Sequence, residues 1–290
     1  MYNKILFIPK IGGANVGLAN CLIAFAKKHL ALRQNNPQFG SEWLEIKIIE
    51  SYEEADDRTL VVPVGGDGTV LYAAKSALEL NLPILGVNLG QVGFLTDLTA
   101  TEETLDILFD SLFIYTSSVQ QEEIFKKDYR TLLSVEFNGN EYLALNDFVI
   151  SDLYSDSIIN YDLQIGASAA GKHKANSVIV ATPTGSTAYA LMVGGSIIEP
   201  DLDVMEIVPV APLTMASRPI IVSGKSAITI DVHNKKGREV SCKADGQEIA
   251  RLRGDDTRIT ITRHEKKVTL LHYADWNYFE KLSLKLGWNK

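Results

Sequence analysis

Cysteine is nearly absent from this sequence: Cys21 and Cys242 are the two in 290 residues. They stand far apart in apolar or strand-like surroundings. A disulfide framework or thiolate metal site is therefore excluded, and two reduced thiols fit a reducing compartment. Histidine is scarce too. The five copies show no metal-ligand spacing, and His264 and His272 are expected at the surface. No apolar run reaches the ~18 residues of a membrane span. Met1 to Pro9 lacks the charged, apolar and small-residue order of a signal peptide, so a cytoplasmic protein is expected. There is no internal repeat, low-complexity stretch or Pro/Ser-rich linker. Positive charge is the minority: 28 Lys and Arg against 36 Asp and Glu leave a net −8. Such a surface argues against nucleic acid and anionic membranes as partners. It leaves room for a phosphate-bearing ligand, which backbone N–H groups and a few local cations can hold.

What is present is an ordinary globular composition, 46% hydrophobic and 22% charged. The length suggests two domains of roughly 100–200 residues each. Strand and helix signals alternate at first. Ile5 to Ile8 reads as a strand and Asn15 to Arg33 as a helix, with apolar Leu18, Leu22, Phe25, Ala26 and Leu30 on one side. Breaks at Asn36-Pro37 and Phe39-Gly40 precede strands at Leu44 to Ile49 and Leu60 to Val64. A helix over Thr69 to Leu80 and a strand over Pro83 to Val87 follow. Strand and helix alternating at these lengths predict βαβ units and a largely parallel sheet. Beyond about residue 115 short β runs dominate: Thr131 to Phe137, Tyr142 to Ser151, Tyr161 to Ile165, Ser177 to Ala181, and a series from Ile220 to Leu271. Asn138-Gly139 and Asp245-Gly246 are hairpin turn signals between such runs. The reading is an α/β N-terminal domain over 1–115 and an all-β sandwich over 116–274. A C-terminal helix, Tyr278 to Leu286 within 275–290, is expected to pack back on the α/β domain.

Two segments carry chemistry. Gly65-Gly66-Asp67-Gly68-Thr69 lies between a strand and a helix. Glycines let the backbone approach a ligand closely, and the helix N-terminus offers unpaired N–H groups to phosphate. Asp67 opposes a bare anion, so it is read as binding a hydroxyl or a metal-coordinated phosphate; the alternative is a helix N-cap. Thr182-Pro183-Thr184-Gly185-Ser186-Thr187-Ala188-Tyr189 follows the strand Ser177 to Ala181, with Gly194-Gly195 close behind. Its four hydroxyls and one aromatic can bond a polar ligand and stack a ring, or simply cap the next helix. Asn88 to Asp97 lies at the carboxyl end of a strand, where open α/β sheets bind ligands. Asn146-Asp147 interrupts an apolar strand, and is either satisfied by a bulge or faces a ligand.

Taken together, GGDGT at 65–69, NLGQVGFLTDL at 88–98, TPTGSTAY at 182–189 and the ending Tyr278 to Trp288 resemble the NAD kinase family over most of the chain. GGDGT by itself is shared with lipid kinases and phosphofructokinases; its combination with TPTGSTAY is specific. The resemblance implies NAD held between an α/β domain and a β-sandwich domain, and phosphorylation of the 2′-hydroxyl of its adenosine ribose, yielding NADP. ATP or polyphosphate would be the donor and magnesium the divalent cation. It implies Asp67 as base or orienting acceptor. Gly66, Gly68 and Thr69 would shape the donor side. Phe94, Asn146, Thr184, Thr187, Ala188 and Tyr189 would line the dinucleotide site. A homodimer or homotetramer is implied as well. Two positions depart from the family pattern. Asn146-Asp147 replaces the usual Asn-Glu, and Lys174-Ala175-Asn176-Ser177 stands where an Asp-Gly pair is usual. Both bear on the choice between NAD and NADH. Lys172 and Lys174 are candidate phosphate-binding cations, or solvated strand-end lysines. The competing readings are a lipid or sphingoid-type kinase sharing GGDGT, and a non-catalytic NAD(H)-binding sensor.

Overall fold

A computed structural model describes residues 2–10, 12, 16–36, 46–90, 93–99, 101–117, 124–153, 157–233, 238–253 and 256–288. The chain divides into two compact units, Met1–Tyr129 with Val268–Lys290, and Arg130–Lys267. Pro37, Phe39-Gly40, Asn15, Leu44 and the Gln91-Val92 pair of the Asn88 to Asp97 segment lie outside the described residues.

The first unit runs β1 (Lys4–Pro9), α1 (Val16–Gln34), β2 (Lys47–Ile49), β3 (Thr59–Gly65), α2 (Asp67–Glu79), β4 (Val87–Asn88), β5 (Leu98–Thr99), α3 (Glu102–Ser117) and β6 (Phe125–Arg130), whose last residue opens the second unit. Its sheet has the order β2-β1-β3-β4-β5, every pair parallel. β3 is buried at every residue, as its unbroken apolar run requires of a strand covered on both faces. α1 turns Ala19, Leu22, Ala26 and Leu30 to the core, where they meet Ile5, Leu60 and Val62. Leu18, expected on that face, is exposed; the stripe is rotated by one residue onto the smaller Ala19. Arg33, at the end of α1, is fixed by Asp106 and Asp110 of α3 at 2.8 and 2.6 Å.

The expected strand Pro83 to Val87 is a bridge followed by a two-residue strand. Ile84 bridges to Val61 on one side and Leu270 on the other. Proline donates no N–H, and Gly86 is pressed against Leu95 and Thr96, so no regular ladder extends across it.

The second unit continues with β7 (Leu133–Phe137), β8 (Asn140–Ala144), β9 (Asp147–Asp152), β10 (Ile159–Ile165), β11 (Ser168–Ala175), β12 (Ser177–Ala181), α4 (Tyr189–Met192), β13 (Val204–Val210), β14 (Ile220–Ser223), β15 (Ile228–His233), β16 (Glu239–Ala244), β17 (Gln247–Arg253) and β18 (Asp256–Arg263). Two six-stranded sheets form, ordered β11-β10-β15-β18-β7-β8 and β14-β13-β12-β9-β16-β17. Their core includes Leu133, Phe148, Ile150, Tyr161, Val180, Ile230 and Cys242, each large apolar side chain worth roughly 1.5–3 kcal/mol of burial. Cys242 is a free thiol, and burial pushes its pKa up to about 12. β15 alternates buried and half-buried residues, but β12 is buried throughout. Ala190 of α4 packs with Ile179 and Ala181 on the outer face of β12.

The run Tyr142 to Ser151 is two strands, not one. β8 belongs to the first sheet and β9 to the second, and Leu145-Asn146 is the crossing. The Asn138-Gly139 and Asp245-Gly246 turns adopt left-handed φ at both residues, closing the hairpins β7–β8 and β16–β17. β11 and β13 were not anticipated. β11 is short of large apolar residues and mostly exposed, and β13 carries Pro209 within it.

The chain returns to the first unit with β19 (Val268–Tyr273) and α5 (Tyr278–Leu286). Asn277 caps α5 by accepting from Phe279 and Glu280 N–H, and Gly287 ends it in a left-handed conformation. His272 corrects the surface expectation: it is 1% exposed, because the strand turns it inward where two carboxylates supply its partners.

Candidate active site

In the first unit the GGDGT turn opens α2 two residues earlier than anticipated, so Asp67 is the first helical residue and Gly66 the cap. Asp67 is therefore not the N-cap. Its carboxylate reaches away from the helix: Oδ2 accepts the N–H of Phe94 at 2.9 Å and Oδ1 that of Leu95 at 3.0 Å. None of the three glycines of the turn has a positive φ, so rotational freedom is not their use. At Gly65 a Cβ would lie 2.0 Å from Thr69 Oγ1. At Gly66 and Gly68 it would meet nothing within 4 Å. Those two leave bare backbone beside open space at a helix N-terminus, the setting that suits phosphate. Thr69 is buried, and its hydroxyl accepts the Gly66 N–H at 3.4 Å, so this side chain builds the turn.

Gly93 lies within the Asn88 to Asp97 segment that the sequence singles out, with no role of its own assigned there. A Cβ there would fall 1.8 Å from Asp67 Oδ1. Its N–H donates to Thr96 Oγ1 at 2.8 Å, as does the side-chain amide of Asn88 at 3.1 Å. The 93–97 segment is thus tied to the end of β4 and presents two adjacent N–H groups to Asp67. Half-buried Phe94 adds its ring, with Lys285 Nζ 5.9 Å from the centroid.

In the second unit TPTGSTAY leaves β12 as a short helical turn. Its hydroxyls are mostly engaged by the loop and its immediate neighbours. Thr182 Oγ1 donates to Leu145 O at 2.6 Å and accepts from Gly185 N–H at 3.0 Å. Ser186 Oγ donates to Pro183 O and accepts from Ile198 N–H. Thr187 Oγ1 donates to Thr184 O. Thr184 accepts from the buried guanidinium of Arg130 at 3.3 Å. Gly185 is obligatory, since a Cβ would stand 2.1 Å from Asn146 O. The loop is a rigid seat that presents Ala188 and Tyr189, the latter 40% exposed.

The Asn146 backbone is held by this loop on one side and by Asp245 on the other. Thr182 N–H donates to its carbonyl at 2.9 Å, and Asp245 Oδ1 accepts its N–H at 2.7 Å. Asp245 also takes the N–H groups of Leu145 at 2.9 Å and Asp147 at 3.3 Å. The β8–β9 crossing is thus satisfied by a carboxylate, not by a bulge. Asp245 is the residue that sequence reasoning missed. It registers as a turn former, and its partners lie about a hundred positions earlier.

Asn146, Asp147, Asn176, Ala188, Tyr189 and Asp245 line one cleft of about 440 Å³, joined by Lys243. Thr184 and Thr187, expected to line the dinucleotide site, are not among its lining residues. Lys174 is exposed on β11 and Lys172 faces Asp162 at 3.6 Å; neither lines the cleft. Asn176 donates to Ser157 O at 3.5 Å. Burial, reinforced by the Asp245 charge, pushes the Asp147 carboxyl up to about 7.

Residues 145–273 match the ATP-NAD kinase C-terminal domain and residues 34–113 the ATP-NAD kinase N-terminal domain. The chain belongs to the ATP-NAD kinase family. An NAD kinase of Psychrobacter arcticus is 36% identical over 249 residues, covering 84% of this chain and 73% of that one. An NAD kinase of Pseudomonas putida is 38% identical over 231 residues, covering 79% and 75%. This family fold is shared with the yeast NADH kinase complexed with NADH, at a TM-score of 0.79 and 21% identity over 100% of this chain and 88% of that one. It is shared also with an NAD kinase from Archaeoglobus fulgidus in complex with ATP, at 0.69 and 23% identity over 98% of each. The family match disfavours the lipid kinase reading, which GGDGT by itself left open.

Proposed function

We propose that this protein transfers the γ-phosphoryl group of ATP to the 2′-hydroxyl of the adenosine ribose of NAD, forming NADP. The observation that carries the reading is the convergence of Asn146, Asn176, Ala188 and Tyr189 on one cleft, in a chain of the ATP-NAD kinase family. That cleft takes the dinucleotide, with Tyr189 offering a ring and the Asn146 and Asn176 side chains offering hydrogen bonds. Lys243 supplies a cation there that Lys172 and Lys174 do not.

Phosphoryl transfer is mainly positioning and charge neutralisation. Asp67 serves as the acceptor of the ribose hydroxyl proton. Two backbone N–H groups orient its carboxylate and leave its remaining lone pairs for the hydroxyl. The bare backbone of Gly66 and Gly68 at the head of α2 receives phosphate oxygens. Among the described residues there is no group of three or more His, Cys, Asp or Glu able to hold a metal. A Mg²⁺ carried on the nucleotide phosphates would have Asp67 as the carboxylate of the turn within its reach. When bound, the ion neutralises charge on the transferred group.

NADH is an alternative acceptor and polyphosphate an alternative donor. A cytoplasmic location agrees with the free thiols, and no helix among the described residues is long and apolar enough to cross a membrane. The test is a coupled assay with ATP and Mg²⁺ and, in turn, NAD, NADH or a sphingoid base. NADP formation from NAD supports the reading. Phosphorylation of the lipid alone, or NAD binding without any product, overturns it.

A further inference from the structure

The kinase reading uses Asp67 but leaves unexplained a buried charged cluster in the same unit. His272 of β19 has Nδ1 2.7 Å from Asp97 Oδ2 and Nε2 3.1 Å from Asp128 Oδ2. Trp276 stacks on the ring at 4.0 Å. Lys281 of α5 donates to Asp97 Oδ1 and to the carbonyl of Thr96, both at 2.8 Å. Burial pushes the Asp97 carboxyl up, but the hydrogen bond and charge of His272, with those of Lys281, outweigh it and hold it below the usual range.

Two carboxylates, an imidazole and an ammonium withdrawn from water are costly, and apolar packing of equal volume is often as stable. What such a cluster supplies is direction, because charge-assisted hydrogen bonds are short and geometrically selective. The direction here is legible. Both oxygens of Asp97 and the carbonyl of Thr96 are held from β19 and α5. The Thr96 hydroxyl holds the Gly93 N–H. Between these fixed points lie Phe94 and Leu95, whose N–H groups hold Asp67. The ion pairs from Asp128 through His272 to Asp97 fix one end of this short backbone segment, and the N–H groups of Phe94 and Leu95, just before it in the chain, hold the Asp67 carboxylate.

We infer that His272, Asp128 and Lys281 are positioning residues: they clamp the Gly93–Asp97 segment so that its two N–H donors aim Asp67 at the acceptor hydroxyl. This rests on the kinase reading, and the clamp has a readout independent of it. Misplacing a reacting group by about 1 Å can cost on the order of 10²-fold in rate. In His272→Gln and Lys281→Met, kcat should fall by about tenfold or more, with KM for NAD and ATP within about twofold. Lys281→Arg should recover most of the loss. In an Asp67→Asn background neither variant should lower kcat further, since the clamp acts through that carboxylate. Hydrogen exchange of the Phe94 and Leu95 amides should quicken by about tenfold in both variants. A lowered Tm with unchanged kcat, a loss that multiplies with that of Asp67→Asn, or unchanged exchange at 94 and 95 would each overturn the inference. Lys281→Met carries the test if His272→Gln does not fold. If the wild-type chain forms no NADP, the kinase reading fails, and exchange still decides whether the clamp exists.

Discussion

At the scale of single residues, Asp67 and Asp147 are two carboxylates with opposite surroundings. Asp67 is half-buried and held by two N–H donors. Asp67→Asn keeps size and some hydrogen bonding but removes the proton acceptor. Activity should fall by about 10²–10⁴-fold with the fold intact. NADP formation within about threefold of wild type, with an unchanged Tm, would remove Asp67 from the chemistry. Asp147 is buried beside Asp245, and its carboxyl titrates near 7. A folded-state pKa raised above the unfolded value contributes stability that is full below the unfolded pKa and lost as pH rises through the folded one. The penalty therefore grows from about pH 4 to about pH 7 and is complete above it. Asp147→Asn should be more stable than wild type at pH 8, by an amount on the order of 3–4 kcal/mol, and nearly equal to it at pH 4. Denaturant melts at the two pH values check this, and equal differences at both would refute it. Asn176 lines the same cleft without a charge. A carboxylate there favours the positive ring of NAD over the neutral ring of NADH. Asn176→Asp should lower the Michaelis constant for NAD by about fivefold and that for NADH less. An unchanged ratio of the two constants would take Asn176 out of recognition.

At the scale of elements, two glycines illustrate how one segment shapes another. Gly185 brings the TPTGSTAY turn against the Asn146 backbone, and Gly93 brings the 93–97 segment against Asp67. The atom a new Cβ would strike differs. At Gly185 it is backbone, which cannot yield. At Gly93 it is a carboxylate tip, which can rotate aside. Gly93→Ala should therefore fold with a Tm within a few degrees of wild type, yet lose about 10²-fold in kcat, because Asp67 is driven off its two N–H donors. A variant of full activity would show that the observed Asp67 rotamer is not the working one. The turn chemistry was legible in the sequence: Asn138-Gly139 and Asp245-Gly246 both close hairpins as their composition predicts. The Leu145-Asn146 crossing was not legible, since a strand that changes sheets keeps its apolar pattern on both sides of the change.

At the scale of the whole molecule, the acidic net charge of −8 works against nucleic acid and anionic membranes at long range, while one edge of the sandwich is apolar. β14 ends its sheet, with Ile220 and Ile221 exposed, and Leu213 and Met215 are exposed nearby in sequence. An apolar edge strand is a pairing surface, and we propose it as the contact of the homodimer or homotetramer that the family resemblance implies. Light scattering should give two or four times the 31.9 kDa chain mass, and Ile221→Lys should lower it. A monomer in both cases would leave this edge without a partner of its own kind.

The amino-acid order by itself determined what depends on neighbours in the chain. The parallel strands around GGDGT, the sandwich strands between Asn-Gly and Asp-Gly turns, the terminal helix and the two loops all follow from local periodicity and turn residues. So does Asp67, because a carboxylate inside a glycine turn at a helix start is a local anomaly. Only the tertiary structure decided what depends on residues far apart in the chain. Asp245 was a turn former until folding set its carboxylate against the Leu145–Asp147 N–H groups. His272 was a surface histidine until β19 turned it between Asp97 and Asp128. Gly93 was one residue of a named motif with no role of its own until α2 aimed Asp67 at it. Hydrogen-bond partners and steric limits are short-ranged in space and unrestricted in sequence, so periodicity and spacing carry no record of them.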